Sequence, residues 1–385
     1  MTANSFPNSG EIIVHVFGKT DVGRTREHNE DSFVVADLNT MNATLQPEVR
    51  THHPGKLGSL FMVADGMGGA AAGEIASAMA TEVVLQELDT RWRGATKHDT
   101  ETFARAIKAA TETANARINR YAAEHPENRG MGTTATIAGF LGDTLYLAQV
   151  GDSRAYLVRN GVALQITKDQ SLMQKLVEAG ELTVEEAEVS ERRNIILQAL
   201  GPEPVVKVDL TYQQVRRDDV LILCSDGLSG QIRTSDISRV VTDDADLVDV
   251  CKHLIDLANE NGGPDNITVI AVRFDGAGLS SASAGEGVGH QVYTSQSEAR
   301  ATIPVDLGAI QAADAEAHAN TTPKSDHAAT LPRLTPVTRN SPTTPMAPAV
   351  SRPLPEGRVP KSVLRLIFGA IALGVVAYAI YKYRS

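Results

Sequence analysis

Only two cysteines, Cys224 and Cys251, occur in the 385 residues, and both sit in apolar runs. A disulfide framework and a cysteine zinc cluster are thereby excluded, and the pair reads as buried thiols of a reducing compartment. An excess of basic charge is also missing: 36 Lys and Arg stand against 47 Asp and Glu, a formal net charge of −11. That sign argues against a nucleic-acid partner. The N-terminus has no charged stretch leading into an apolar one, so no signal peptide is expected. Neither G-x-S-x-G nor H-E-x-x-H occurs, which removes two common signatures of hydrolytic nucleophiles and zinc sites. No internal repeat is visible.

What is present is 42% apolar and 22% charged residues, a composition that suits a globular chain with an ample core. Composition changes near residue 276. Residues 277–360 hold 10 of the 17 prolines among Ser, Thr and Ala, and such segments bury too little apolar surface to offset ordering entropy. They are expected to form a disordered, partly extended tether. In residues 361–385 the stretch 363–381 is interrupted by charge only at Arg365. Nineteen residues at a helical rise of 1.5 Å span about 28 Å, close to the ~30 Å hydrocarbon core. One C-terminal transmembrane helix is therefore expected. Arg352, Arg358, Lys361 and Arg365 stand on its N-terminal side against Lys382 and Arg384 beyond it. The positive-inside bias then puts residues 1–276 on the cytoplasmic face of the cell membrane.

Within residues 1–276, β-like runs are expected at 12–17, 32–36, 60–64, 133–140, 144–150, 155–159, 205–212, 220–224 and 267–273. Helical patterns cover 74–88, 100–123 and 245–260. Hairpin-sized connections such as Leu141-Gly142-Asp143 and Asn160-Gly161 suggest antiparallel sheets covered by helices rather than a βαβ repeat.

Acidic residues recur at the ends of these strands. Asp65 opens Asp65-Gly66-Met67-Gly68-Gly69, Asp226 lies in Ser225-Asp226-Gly227, and Asp152 in Gly151-Asp152-Ser153-Arg154. Asp265 precedes the last strand in Gly263-Pro264-Asp265-Asn266, and Glu30-Asp31 precedes the second. A single Asp-Gly is mostly turn chemistry, and Asp143 reads that way. The recurrent set suits hard cations such as Mg²⁺ or Mn²⁺, with glycine exposing a carbonyl as a further ligand. Two such cations can activate a water and clamp the oxygens of an in-line displacement at phosphorus. From spacing alone Arg26 reads as a solvated surface arginine, and His52-His53 as a solvated loop pair.

Taken in order, Arg26-Glu27-His28-Asn29-Glu30-Asp31, Val63-Ala64-Asp65-Gly66-Met67-Gly68-Gly69, Gly132-Thr133-Thr134, Gly151-Asp152-Ser153-Arg154, Ser225-Asp226-Gly227-Leu228 and Pro264-Asp265-Asn266-Ile267-Thr268 resemble the bacterial metal-dependent protein phosphatases of the PPM, or protein phosphatase 2C, type. The resemblance runs from about residue 11 to 273. It implies an α/β sandwich of two central antiparallel β-sheets flanked by helices, with a binuclear Mn²⁺/Mg²⁺ centre. In it Asp65 would bridge both ions, the Gly66 carbonyl would ligate one, and Asp226 and Asp265 the other. Glu30 and Asp31 would supply the acidic pair beside them, and Asp152 a third, weaker site. Arg26 would bind the phosphate, reversing its reading from spacing. The implied reaction is attack of a water bridging the ions on phosphoserine or phosphothreonine in proteins, without a phosphoenzyme. Met67 leaves the donor of the leaving-group proton unassigned. The implied partners are phosphorylated proteins, including Ser/Thr kinases and their substrates.

Residues 168–200 correspond to the family's variable flap. Its charges (Glu178, Glu181, Glu185, Glu186, Glu188, Glu191, Arg192 and Arg193) either bias substrate choice or belong to solvated amphipathic helices. Two rival readings attach to the same residues. Gly66-Met67-Gly68-Gly69-Ala70-Ala71, with Glu87 and Asp89 downstream, fits a dinucleotide fingerprint, although no βαβ pattern follows. A catalytically inactive phosphatase fold tethered to the membrane as a binding module is the other.

Overall fold

In the computed structural model, which describes residues 10–43, 51–190, 192–289 and 291–294, strand β4 (Ser59–Met67) shows how the layers arise. Its Leu60, Met62 and Ala64 are buried in one apolar cluster, while Phe61 and Val63 are buried in another. Successive side chains of a strand point to opposite faces, so a run of apolar residues without polar alternation needs cover on both sides. Strands β11 (Val220–Cys224) and β12 (Ile267–Asp275) obey the same logic. Leu221, Leu223, Ile270 and Val272 face the cluster that holds Phe61, and Ile222, Cys224, Val269 and Ala271 face a third.

The result is two stacked sheets. One runs in the order β3 (Thr51–His52), β1 (Ile13–Asp21), β12, β11, β8 (Arg154–Arg159), β9 (Val162–Gln165). The other runs β13 (Gln291–Val292), β10 (Asp209–Gln214), β7 (Thr144–Val150), β6 (Ala135–Leu141), β4, β2 (Asp31–Asp37), with β5 (Gly132–Thr133) pairing the end of β4. All pairings between these strands are antiparallel. Between the sheets, Phe140 and Phe274 meet at a ring separation of 4.7 Å, each burial contributing about 1.5–3 kcal/mol.

Helices α1 (Ala70–Leu88) and α2 (Thr100–Glu124) cover the second sheet, and α6 (Thr234–Asp243) and α7 (Leu247–Glu260) cover the first. Helix α2 starts where the Asp99 carboxylate accepts the Thr102 N–H at 2.8 Å, a side-chain N-cap. Phe103, Ile107, Ala110, Ala114 and Ile118 then recur at helical spacing along its buried face. The expected architecture of two antiparallel sheets flanked by helices is therefore present. The fingerprint glycines do join β4 to α1, but the strands on either side of β4 are antiparallel to it, so no βαβ unit follows.

Three expectations change. His52 is not solvated: it lies on β3, is buried, and its Nε2 is 2.8 Å from Ser59 Oγ. Burial holds its pKa below the usual value. The folded unit also does not end at Gly276. Leu279 is buried, the Arg217 N–H donates to the Ser280 carbonyl at 2.9 Å, and β13 pairs with β10. Glu286 pairs with Arg216 at 2.7 Å and reaches Arg159 at 3.5 Å. Scattered anchors such as Leu279, Glu286 and Tyr293 vanish in an average dominated by Gly, Ser and Ala. Finally, the expected strand at 205–212 forms later, as β10. The rest of the expected tether and the expected span at 363–381 lie outside the described residues. Among the described residues no helix is long and apolar enough to cross a membrane.

Candidate active site

Asp31 begins β2 and Asp65 nears the end of β4, and the two are direct partners across the antiparallel pair. Residues paired in this way project on one face of the sheet, so register alone brings two carboxyls together. The Gly132-Thr133-Thr134 stretch fixes the backbone around the second of them. The Thr134 N–H and the Thr133 hydroxyl both donate to the Asp65 carbonyl at 2.9 Å, and the Asp65 N–H donates to Thr134 Oγ1 at 3.0 Å. The Asp-Gly pairs have a steric cause. A Cβ on Gly66 would collide with the carbonyls of Gly73 and Glu30, and one on Gly227 with the carbonyl of Asn266. Each glycine thus lets another acid-bearing loop approach the aspartate beside it.

Asp226 opens the short helix α5 (Asp226–Ser229) directly after β11, and its carboxyl and that of Asp65 act on one another's protonation. Asp265 lies just before β12, the neighbour of β11. Asp152 follows β7, and both it and Asp31 are buried. Burial, and then the charge of Asp31, hold the Asp65 carboxyl well above the usual carboxylate range; Asp226, Asp152 and Asp265 add to the effect. Asp31 is pushed up to about 7 and Asp152 to about 8, burial being the larger cause in both. The structure thus brings Asp31, Asp65, Asp152, Asp226 and Asp265 into one electrostatic cluster. Glu30 joins through its backbone, its carbonyl accepting the Gly66 N–H at 3.2 Å, and burial raises its carboxyl too.

Asp31 is held from one side only. Ser225 and Thr268 hydroxyls donate to Oδ2 at 2.8 and 2.6 Å, whereas the buried Oδ1 has no hydrogen-bond partner. Asp152 Oδ1 is in the same condition. Buried acceptors are rarely left so, and a cation is the partner that several crowded carboxylates would share at least cost. Among the described residues no three Asp, Glu, His or Cys side chains close into a ligand cage by themselves. Hard cations that retain water need only one or two carboxylates each, so this donor set fits them. Arg26 donates from Nη2 to Asp265 Oδ2 at 2.8 Å, and its side chain is about half exposed (48%). It is therefore at the site, not loose on the surface.

Three positioning residues were not singled out by the sequence reading. Asn266 accepts the Glu30 N–H at 2.8 Å through Oδ1 and donates through Nδ2 to the carbonyls of Val22 and His28 at 3.0 and 2.9 Å. With Ser225 and Thr268 it ties the loop before β2 to the start of β12. Their only sequence signal was their place beside the aspartates. Asp143 remains a turn residue, accepting from Thr144 Oγ1 and Gln214 Nε2 at 2.9 Å.

A cavity of about 820 Å³ opens from Arg26, Asp152, Asp226 and Asp265 and runs between the flap and the turn at 226–235. The flap contains helices α3 (Leu172–Glu178) and α4 (Val184–Glu188). Its acidic residues are partly spent internally. Glu178 pairs with Lys168 and Lys175 at 3.1 and 3.2 Å, and Glu186 closes a capping box with Thr183.

Residues 46–270 match the family described as Protein phosphatase 2C. The chain is 36% identical over 262 residues to a serine/threonine phosphatase of Listeria monocytogenes, covering 68% of this chain and 96% of that one. The solved serine/threonine phosphatase of S. agalactiae superposes with a TM-score of 0.59 at 34% identity, over 68% of this chain and 99% of that one. The catalytic domain of the phosphatase PstP, solved in complex with two manganese ions, superposes at 0.54 with 33% identity, over 69% and 99%.

Proposed function

The chain belongs to the protein phosphatase 2C family of serine/threonine phosphatases, and from that premise we propose how its acidic cluster works. The observation that carries the reading is the pair of buried carboxylate oxygens, Asp31 Oδ1 and Asp152 Oδ1, left without partners in a cluster of five aspartates. Two Mn²⁺ or Mg²⁺ ions would be held by Asp65, the Gly66 carbonyl, Asp226 and Asp265. Glu30 and Asp31 would act beside them, directly or through water, with Asp152 at a weaker third position. When bound, the ions supply an activated water for attack at phosphorus and offset charge on the phosphoryl oxygens.

The remaining work falls to the chain. Asp265 Oδ2 cannot serve a cation fully while it accepts from Arg26. Arg26 therefore exchanges that bond for the phosphoryl oxygens of the substrate, whose geometry its planar fork matches. The exchange leaves Asp265 free as a ligand. Ser225 and Thr268 hold Asp31 by Oδ2 and leave Oδ1 for a ligand, and Asn266 holds the loop that carries Glu30.

The test is hydrolysis of a phosphothreonine peptide and of p-nitrophenyl phosphate with Mn²⁺, with Mg²⁺ and with excess EDTA, alongside calorimetric Mn²⁺ binding. Activity should need the cation, and Asp226→Asn should lower it by about a hundredfold while weakening Mn²⁺ binding. Cation-independent turnover, or a variant with intact turnover, would refute the assignment.

The reading extends to place and partners. Residues 363–381 anchor the enzyme to the membrane with its catalytic domain on the cytoplasmic face, where it opposes Ser/Thr kinases. Support comes from the length and flanking charge of that stretch, and from the high local concentration that a shared surface gives two tethered proteins.

A further inference from the structure

The cavity that leads away from the aspartates has cations of two kinds. Arg26 and Arg154 are already engaged. Arg26 bonds to Asp265, and Arg154 donates three bonds of 2.7–3.1 Å to Asp169. Arg193, from the flap, and Arg233, at the start of α6, also line the cavity, and both are exposed. Neither guanidinium makes an ion pair or hydrogen bond with any described residue. The acidic residues that line the cavity are Asp152, Asp226 and Asp265 of the cluster, and Asp169, which is paired with Arg154. In a chain of net charge −11, the cavity therefore presents two guanidinium groups without a partner among the described residues. Apolar surface lines the same cavity: Val184 and Val189 of the flap are 56% and 79% exposed.

Resting on the phosphatase reading above, we propose that Arg193 and Arg233 select substrates in which the phosphorylated residue is flanked by Asp or Glu. The phosphate occupies the aspartate end of the cavity with Arg26. The polypeptide on either side passes between the flap and the 226–235 turn, where guanidinium forks match carboxylates and the two valines cover aliphatic stems. These are specificity-determining residues, remote from the reacting atoms.

The full chain loaded with Mn²⁺ is assayed on a phosphothreonine peptide with Asp on both sides of the phosphoresidue, on the same peptide with Asn, and on p-nitrophenyl phosphate. The Asp peptide should be preferred by about fivefold in kcat/KM, through KM, as expected for two partly exposed ion pairs. The preference should shrink in high salt. Arg193→Gln with Arg233→Gln should bring the Asp peptide down to the Asn peptide while p-nitrophenyl phosphate turnover stays as it was. Arg193→Glu with Arg233→Glu should reverse the preference. Equal kcat/KM for the two peptides, or a preference that survives both double variants, overturns this proposal and leaves the phosphatase reading standing. Failure of the wild type on all three substrates overturns that reading and this one with it.

Discussion

Asp31 shows how much of this site rests on single hydrogen bonds. Two hydroxyls take one of its oxygens, and the other is left buried and bare. Asp31 and Asp152 titrate at about 7 and about 8 instead of the ordinary 3.8, so without cations the folded state retains protons that the unfolded state releases. Their contribution to stability is complete below pH 3.8 and is lost as pH rises through 7 and then 8. Metal-free protein should accordingly lose thermal stability between about pH 5 and pH 8. Mn²⁺, which displaces those protons, should raise the melting temperature more at the higher pH. Thr268→Val removes the shorter of the two Asp31 hydrogen bonds and should weaken Mn²⁺ binding by about tenfold. Scanning fluorimetry across pH, with and without Mn²⁺, reads all three effects. A metal-free melting temperature that does not move with pH would contradict the first.

At the scale of elements, the stretch after β12 alters the description most. It packs Leu279 into the layer between the sheets and adds β13 to the edge of the second sheet. It also brings Glu286 to Arg216 and Arg159. Deleting it would expose Ile12, which packs against the same cluster, and strip Arg216 of its carboxylate partner. A fragment ending at residue 276 should therefore melt lower than one ending at residue 294. Loss of one or two buried apolar side chains corresponds to about 5 °C or more in a domain of this size. Equal melting temperatures would show that the stretch adds nothing to the fold. The buried Trp92, whose indole N–H donates to the Leu57 carbonyl at 2.8 Å, gives both fragments the same fluorescence reporter.

For the whole molecule, acidity and its use are separable. Residues 1–276 hold 40 acidic and 26 basic residues, yet only a few of those acids converge at the strand ends. If residues 363–381 anchor the chain, full-length protein should sediment with membranes and resist extraction by salt. A chain ending at residue 360 should remain in the supernatant, and sedimentation of both would remove the anchor from the argument. Much was legible from residues alone. The apolar runs of β4, β11 and β12 announced strands because their patterning is local geometry, whereas their cover on both faces came from the packing. Asp65, Asp226, Asp265 and Asp31 could be named because each sits at a strand end, Asp65 and Asp226 next to glycine, Asp31 next to Glu30 and Asp265 two residues after a glycine. What no local pattern could supply was the company these residues keep. Ser225, Asn266 and Thr268 act on groups nearly two hundred or more positions away. The Arg26–Asp265 bond and the cavity shared by Arg193 and Arg233 join loops from separate elements. Which residues can bear charge, and roughly where most strands run, follow from side-chain chemistry and short-range backbone geometry and can be read locally. Which charges are spent and which are left facing a cavity depends on the packed fold, because a charge is neutralised by what packs against it.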